Sequence, residues 1–126
     1  MREIEAVLGE YEPRPVVAVP THGDWHPRNW LVETPLGRVR VIDFGRFQWR
    51  PAQTDLVRCW SQEWRDRPDL EAAHMAGYGT DPRDVTWRIE CLRQAIGTAA
   101  WARQMGDEPF ERQGLEMIVR VLDLFR

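Results

Sequence analysis

A chain of 126 residues is long enough to bury a real core, and residues 1–126 are expected to form a single domain. With 43% hydrophobic and 29% charged residues, the balance is that of a soluble globular protein rather than a disordered or fibrous one. The formal net charge of -3 leaves no global positive field to hold nucleic acid or an anionic membrane surface, and it mildly favours a cationic ligand.

In chain order, Arg2 to Tyr11 carries Ile4, Val7 and Leu8 at helical spacing but starts without a good cap, as the end of a longer helix would. The Pro-punctuated, β-branched stretch PRPVVAVPTHGD then predicts a short extended segment leading into a His-Gly-Asp loop. Trp30 to Glu33 and Arg38 to Phe44 read as two strands joined by a TPLG turn, the one hairpin in the chain.

From Gln53 the period becomes helical. Leu56, Val57, Trp60 and Trp64 form a core stripe, with Thr54 or Asp55 as cap. Asp69 is expected to cap a second helix ending at GYG. Asp81 and Pro82 predict the start of the longest helix, with Val85, Ile89, Leu92 and Ile96 as its apolar stripe and Gly106 as its stop. Asp107 and Pro109 repeat the start signal for a last helix that buries Phe110, Met117, Ile118, Val121, Leu122 and Phe125. Cys59 and Cys91 fall inside predicted helices with no close-spaced partner, which points to free thiols in a reducing cytoplasm. No apolar run approaches the length needed to cross a bilayer. The fold class expected is therefore α+β and mainly α-helical, with a small β-hairpin.

The stretch THGDWHPRNWLVETPLGRVRVIDFG concentrates His22, Asp24, His26, Asn29 and Asp43 around that hairpin. In an antiparallel pair, the residue before the first strand and the residue after the second return to the same open end. Asn29 and Asp43 stand there. Paired strands lie about 4.8 Å apart, so an amide oxygen and a carboxylate so placed can share one hard divalent cation, whose other positions go to water and phosphate. Asp24, on the loop entering the first strand, can face a substrate hydroxyl and accept its proton or orient its oxygen.

The pattern His22-x-Asp24-x-x-x-x-Asn29 followed by Asp43-Phe44-Gly45 resembles the catalytic loop and metal motif of the protein-kinase-like phosphotransferases. The wording HGDWHPRN, and VIDFGR followed by TDL, resembles the aminoglycoside phosphotransferase family, whose relatives include choline, homoserine and fructosamine kinases. That resemblance implies Asp24 as catalytic base, His22 as brace of the loop, Asn29 and Asp43 as Mg2+ ligands, and Asp55 holding the loop backbone from a helix start. It also implies ATP or GTP as phosphate donor and a small-molecule hydroxyl as acceptor, an aminoglycoside by the family's name.

His26 either touches the γ-phosphate or packs on Trp25 or Trp30. Arg46 either neutralises phosphate or is a solvated surface residue. His74 reads as surface or core filler.

The family's nucleotide is clamped by an N-terminal lobe with a five-stranded sheet and a phosphate-binding Lys. All 17 basic side chains here are Arg, and there is no Gly-rich phosphate loop. The expectation is a C-terminal large lobe of the protein-kinase-like fold, completed by a missing N-terminal lobe or a partner chain. Two other readings compete: a noncatalytic, partner-completed module, and a phosphoesterase using His22, Asp24 and His26 as metal ligands.

Overall fold

The computed structural model describes residues 2–126. Its elements in chain order are helix α1 (Arg2–Gly9), strands β1 (Val19–Thr21), β2 (Trp30–Glu33), β3 (Arg38–Val41) and β4 (Gln48–Arg50), then helices α2 (Leu56–Ser61), α3 (Pro68–Tyr78), α4 (Trp87–Met105) and α5 (Glu108–Asp123). The result is a mixed, mostly helical fold with small antiparallel sheets. No helix among the described residues is long and apolar enough to cross a membrane. The chain divides into two compact units, one spanning Val16–Arg83 and the other comprising Met1–Pro15 and Asp84–Arg126.

In the Val16–Arg83 unit, β2 and β3 form the expected hairpin in the register Trp30↔Val41, Leu31↔Arg40, Val32↔Val39 and Glu33↔Arg38. The aromatic and β-branched content of both strands suits a pleated surface. Gly37, at φ 64, supplies the left-handed residue that closes the turn. The second strand stops at Val41 rather than continuing to Phe44. Asp43 lies at φ 62, a left-handed conformation in which no strand can propagate.

The structure also contains a second pairing that the sequence does not announce. Strand β1 pairs with β4 through Val19↔Arg50, Pro20↔Trp49 and Thr21↔Gln48. Three residues are too few to display an alternation. The two pairings are nested, so residues 22–29 and 42–47 form two loops held between an inner and an outer ladder.

Helix α2 buries Leu56, Val57, Cys59 and Trp60, and Trp64 is buried just beyond its end. Helix α3 begins with Pro68 at its first turn and has no side-chain cap. Asp69 is not the cap, because both its oxygens are taken by Arg67 at 2.8 and 2.7 Å.

In the other unit, α4 begins at Trp87, later than the Asp81-Pro82 signal predicts. Arg83 donates to both Asp81 oxygens, while Asp84 accepts from the Thr86 amide at 2.7 Å and its hydroxyl at 2.6 Å, so a turn occupies the expected first helical residues. Val85 lies outside the helix and is exposed, and the buried face of α4 is instead Cys91, Leu92, Ala95, Ala99 and Ala102. The alanines matter because α4 and α5 meet backbone to backbone. A Cβ on Gly114 of α5 would stand 2.5 Å from the Ala99 amide nitrogen. Helix α5 starts as expected, with the Asp107 carboxylate accepting from the Phe110 amide at 3.0 Å.

Gly114→Ala is therefore expected to lower stability by about 1–3 kcal/mol, since two helices must separate to admit the methyl group. Gly97→Ala on α4, where nothing lies within 4 Å of the added carbon, should raise it by about 0.5–1 kcal/mol. Thermal unfolding of both variants measures the contrast.

Candidate active site

All five opening candidates lie in the Val16–Arg83 unit, on the two loops between the nested ladders. The first loop is anchored by Asp55. One of its carboxylate oxygens accepts from the His22 amide at 2.7 Å and the other from the Gly23 amide at 2.8 Å. With both oxygens committed, Asp55 makes no side-chain cap to α2, although its position suggests one. Gly23 lies at φ 84, and a Cβ there would be 2.1 Å from the Arg46 carbonyl oxygen. The first loop thus rests directly on the backbone of the second, an approach only glycine permits.

His22, buried, joins the two loops. Its Nδ1 accepts from the Asp24 amide at 3.2 Å, so Nε2 carries the proton and donates to the Ile42 carbonyl at 2.8 Å. Its ring also packs on Phe44 at 4.6 Å and edge-on to Trp25 at 5.8 Å. His26, also buried, accepts from the Arg28 amide at 3.3 Å through Nδ1 and so caps the short 3₁₀ turn Pro27–Asn29. Its Nε2 lies 3.6 Å from Asp24 Oδ1. Burial and then the Arg58 charge lower the His26 pKa against the pull of Asp24, so the ring is neutral at pH 7 and this contact is dipolar rather than ionic.

Asp24 sits at the centre. Oδ1 accepts from Arg58 Nη1 at 2.5 Å, while Oδ2 and the main-chain oxygen accept from Asn29 Nδ2 at 3.2 and 2.8 Å. Burial disfavours the charged carboxylate, but Arg58, the Asn29 hydrogen bond, His26 and Arg46 together outweigh it, and the pKa falls below the usual carboxylate value. Asp24 is therefore ionised at neutral pH and binds a proton weakly.

The Ile42 amide donates to the Asn29 carbonyl at 3.0 Å, so pairing extends one step past the hairpin and brings Asn29 and Asp43 to the same end. Both Nδ2 hydrogens of Asn29 go to Asp24, which leaves its Oδ1 as an acceptor. Asp43 is exposed, its carboxylate has no protein partner among the described residues, and a Cβ on Gly45 would lie 3.4 Å from it. One amide oxygen and one carboxylate, with room beside them, suit a hard cation that keeps several waters. Arg46 is exposed, and its charge acts on Asp24.

The geometry disfavours the phosphoesterase arrangement. Both His22 ring nitrogens and one of His26 are already hydrogen-bonded, and no group of three or more His, Cys, Asp or Glu among the described residues could hold a metal ion.

Two features escaped the sequence reading. Arg58 is one: it follows Asp55 by three residues, a helical spacing that places it on the side from which Asp55 reaches the loop, and that spacing was a usable signal. The other is His74 of α3, which is neither surface nor plain filler. Its ring lies 6.3 Å from Trp25, 6.0 Å from Trp30 and 5.1 Å from Trp64, so α3 grips the two residues that directly follow Asp24 and Asn29. Burial lowers the His74 pKa, which keeps the ring uncharged among the indoles.

The family model described as APH, phosphotransferase enzyme family, matches residues 1–89, a span that contains every residue of this site. The chain belongs to that family, whose members are phosphotransferases of the kinase-like kind. No curated protein and no solved structure matches the chain.

Replacing Asp55 with Ala would leave two amides without their charged acceptor, and each such bond is worth about 1.5–3 kcal/mol. Asp55→Ala is expected to destabilise the Val16–Arg83 unit by roughly 3 kcal/mol or more, and Asp55→Asn by less, as read from denaturant midpoints. The Cys59 thiol is pushed up to about 12 by burial, with Glu63 adding to the shift, so it should not react with a thiol reagent at pH 8 until the unit is unfolded.

Proposed function

We propose that this chain is the large, C-terminal lobe of a kinase-like enzyme that transfers the γ-phosphoryl group of ATP or GTP to a hydroxyl of a small molecule, with Mg2+. The single observation that carries this reading is Asp24, ionised and partly exposed, beside a hairpin end to which Asn29 and Asp43 both come. When bound by Asn29 and Asp43, Mg2+ would supply charge neutralisation for the donor phosphates.

The acceptor oxygen attacks the γ-phosphorus, the bond to the bridging oxygen breaks, and ADP or GDP leaves with the electron pair. The acceptor proton passes to Asp24 and then to solvent. A weakly basic Asp24 suits a loose transition state, in which the hydroxyl loses its proton late and orientation matters more than proton affinity. Asp55 and His22 hold the loop, and Arg46 with its exposed charge is placed to meet phosphate. His26, capping the turn and facing Asp24, is placed to touch the γ-phosphate only as a neutral donor.

An aminoglycoside is the first acceptor to test, in keeping with the net negative charge. The nucleotide-binding N-terminal lobe would come from another segment or a partner chain in a reducing cytoplasm. Exposed apolar side chains near the site, Val32, Val39, Phe44 and Phe47, favour a second reading, in which the lobe works only when a partner covers them.

Titration calorimetry with Mg2+ and ATP, followed by a screen of hydroxylated acceptors, tests the proposal. Asp43→Ala should weaken metal-dependent nucleotide binding, whereas Asp24→Ala should abolish turnover and leave nucleotide affinity nearly unchanged. Full turnover in Asp24→Ala would overturn it.

A further inference from the structure

The phosphotransfer reading leaves one feature of the site unexplained. Arg58, on α2, donates from Nη1 to Asp24 Oδ1 at 2.5 Å, although the Mg2+ ligands do not require a cation there. The other Asp24 oxygen is fixed by Asn29 at 3.2 Å. The carboxylate is thus held from two sides, by an amide of its own loop and by a guanidinium from a separate helix.

Arg58 does nothing else that would account for its position. Its Nε is buried without a hydrogen-bond partner, and its side chain is 31% exposed. A buried donor left unmade is costly, and the Asp24 contact is what the structure gains for it. The helix that carries Arg58 also carries, at its start, the Asp55 carboxylate that anchors the loop backbone. One short element therefore sets both the backbone and the side chain of the loop.

We propose that Arg58 is a positioning residue for phosphoryl transfer, fixing the Asp24 carboxylate so that its remaining lone pairs face the acceptor hydroxyl. The inference rests on the phosphotransfer reading for its catalytic consequence and on the observed contact for its structural one. Arg58 touches neither substrate in this role. Its positive charge and single Nη1 hydrogen bond to Oδ1 hold the carboxylate oxygen in place, which a neutral residue of similar length cannot do.

The test compares Arg58→Met and Arg58→Lys with the wild type in the enzyme completed by its N-terminal lobe, using MgATP and the acceptor found by the screen. Misplacement of a reacting group by about 1 Å costs on the order of a hundredfold, so Arg58→Met should lose about that factor in kcat with the KM of ATP and acceptor nearly unchanged. Arg58→Lys should recover much of it. A kcat unchanged in Arg58→Met overturns the proposal. So does an equal loss in Arg58→Lys, which would assign the effect to folding or shape.

A second measurement does not depend on turnover. In nitrogen-15 spectra, the Arg58 guanidinium should show slowly rotating Nη signals that collapse in Asp24→Asn. Absence of those signals in the wild type overturns the clamp itself. If they are present and the wild type, completed by its N-terminal lobe, transfers no phosphate to any acceptor, the clamp stands and the phosphotransfer reading fails.

Discussion

The arrangement of the two loops depends on one carboxylate outside them. Asp55 accepts hydrogen bonds from two consecutive amides, those of His22 and Gly23, more than thirty residues earlier in the chain. Amides in a tight loop have no ladder partner, and leaving them unpaired in a half-buried setting would cost more than most single side chains contribute. With those amides held, the His22 ring is buried between the two loops. Its two nitrogens then tie Asp24 on one loop to Ile42 on the other. Asp24 and the residue before Asp43 are thus connected through a single imidazole, and the Gly23 conformation is what lets the loops approach closely enough.

The electrostatics follow from that geometry. Four groups favour the charged form of Asp24 against its burial, and the balance lies with ionisation. Such a carboxylate is suited to aiming a hydroxyl and to stabilising its developing positive charge, and poorly suited to pulling a proton off early. The left-handed backbone at Asp43 belongs to the same economy of placement. It ends the strand two residues after Val41 and turns the carboxylate out at the end where Asn29 has an oxygen left over.

Much of this was legible in the sequence. The hairpin strands carried their own β-branched pattern, the Asp107-Pro109 start and Gly106 stop of the last helices used local signals that act within one turn, and the loop residues carried a recognisable order. The elements misjudged were those in which a local signal met a stronger competitor. Asp69 and Asp81 looked like caps but were captured by neighbouring arginines. Asp55, a cap by position, instead holds the loop backbone, as the family resemblance implies. The alanine face of α4 was passed over because alanines carry little hydrophobic weight, whereas their small size is what brings two helix backbones into contact at Gly114.

The sequence by itself determined the family, the identity of the polar residues on the two loops and most helix termini, because each of these rests on residue type and short-range spacing. Only the tertiary structure decided which residues surround Asp24 and His74. Arg58 lies 34 positions from Asp24, and the three indoles around His74 come from two stretches of chain, Trp25 and Trp30 from one and Trp64 from another. Contacts at that separation are set by how elements pack, and the helical spacing from Asp55 gives the side of α2 on which Arg58 lies but not its partner. The nested β1 and β4 pairing is of the same kind: three residues at each end carry too little pattern to find one another until the hairpin and the Asp55 anchor have brought them together.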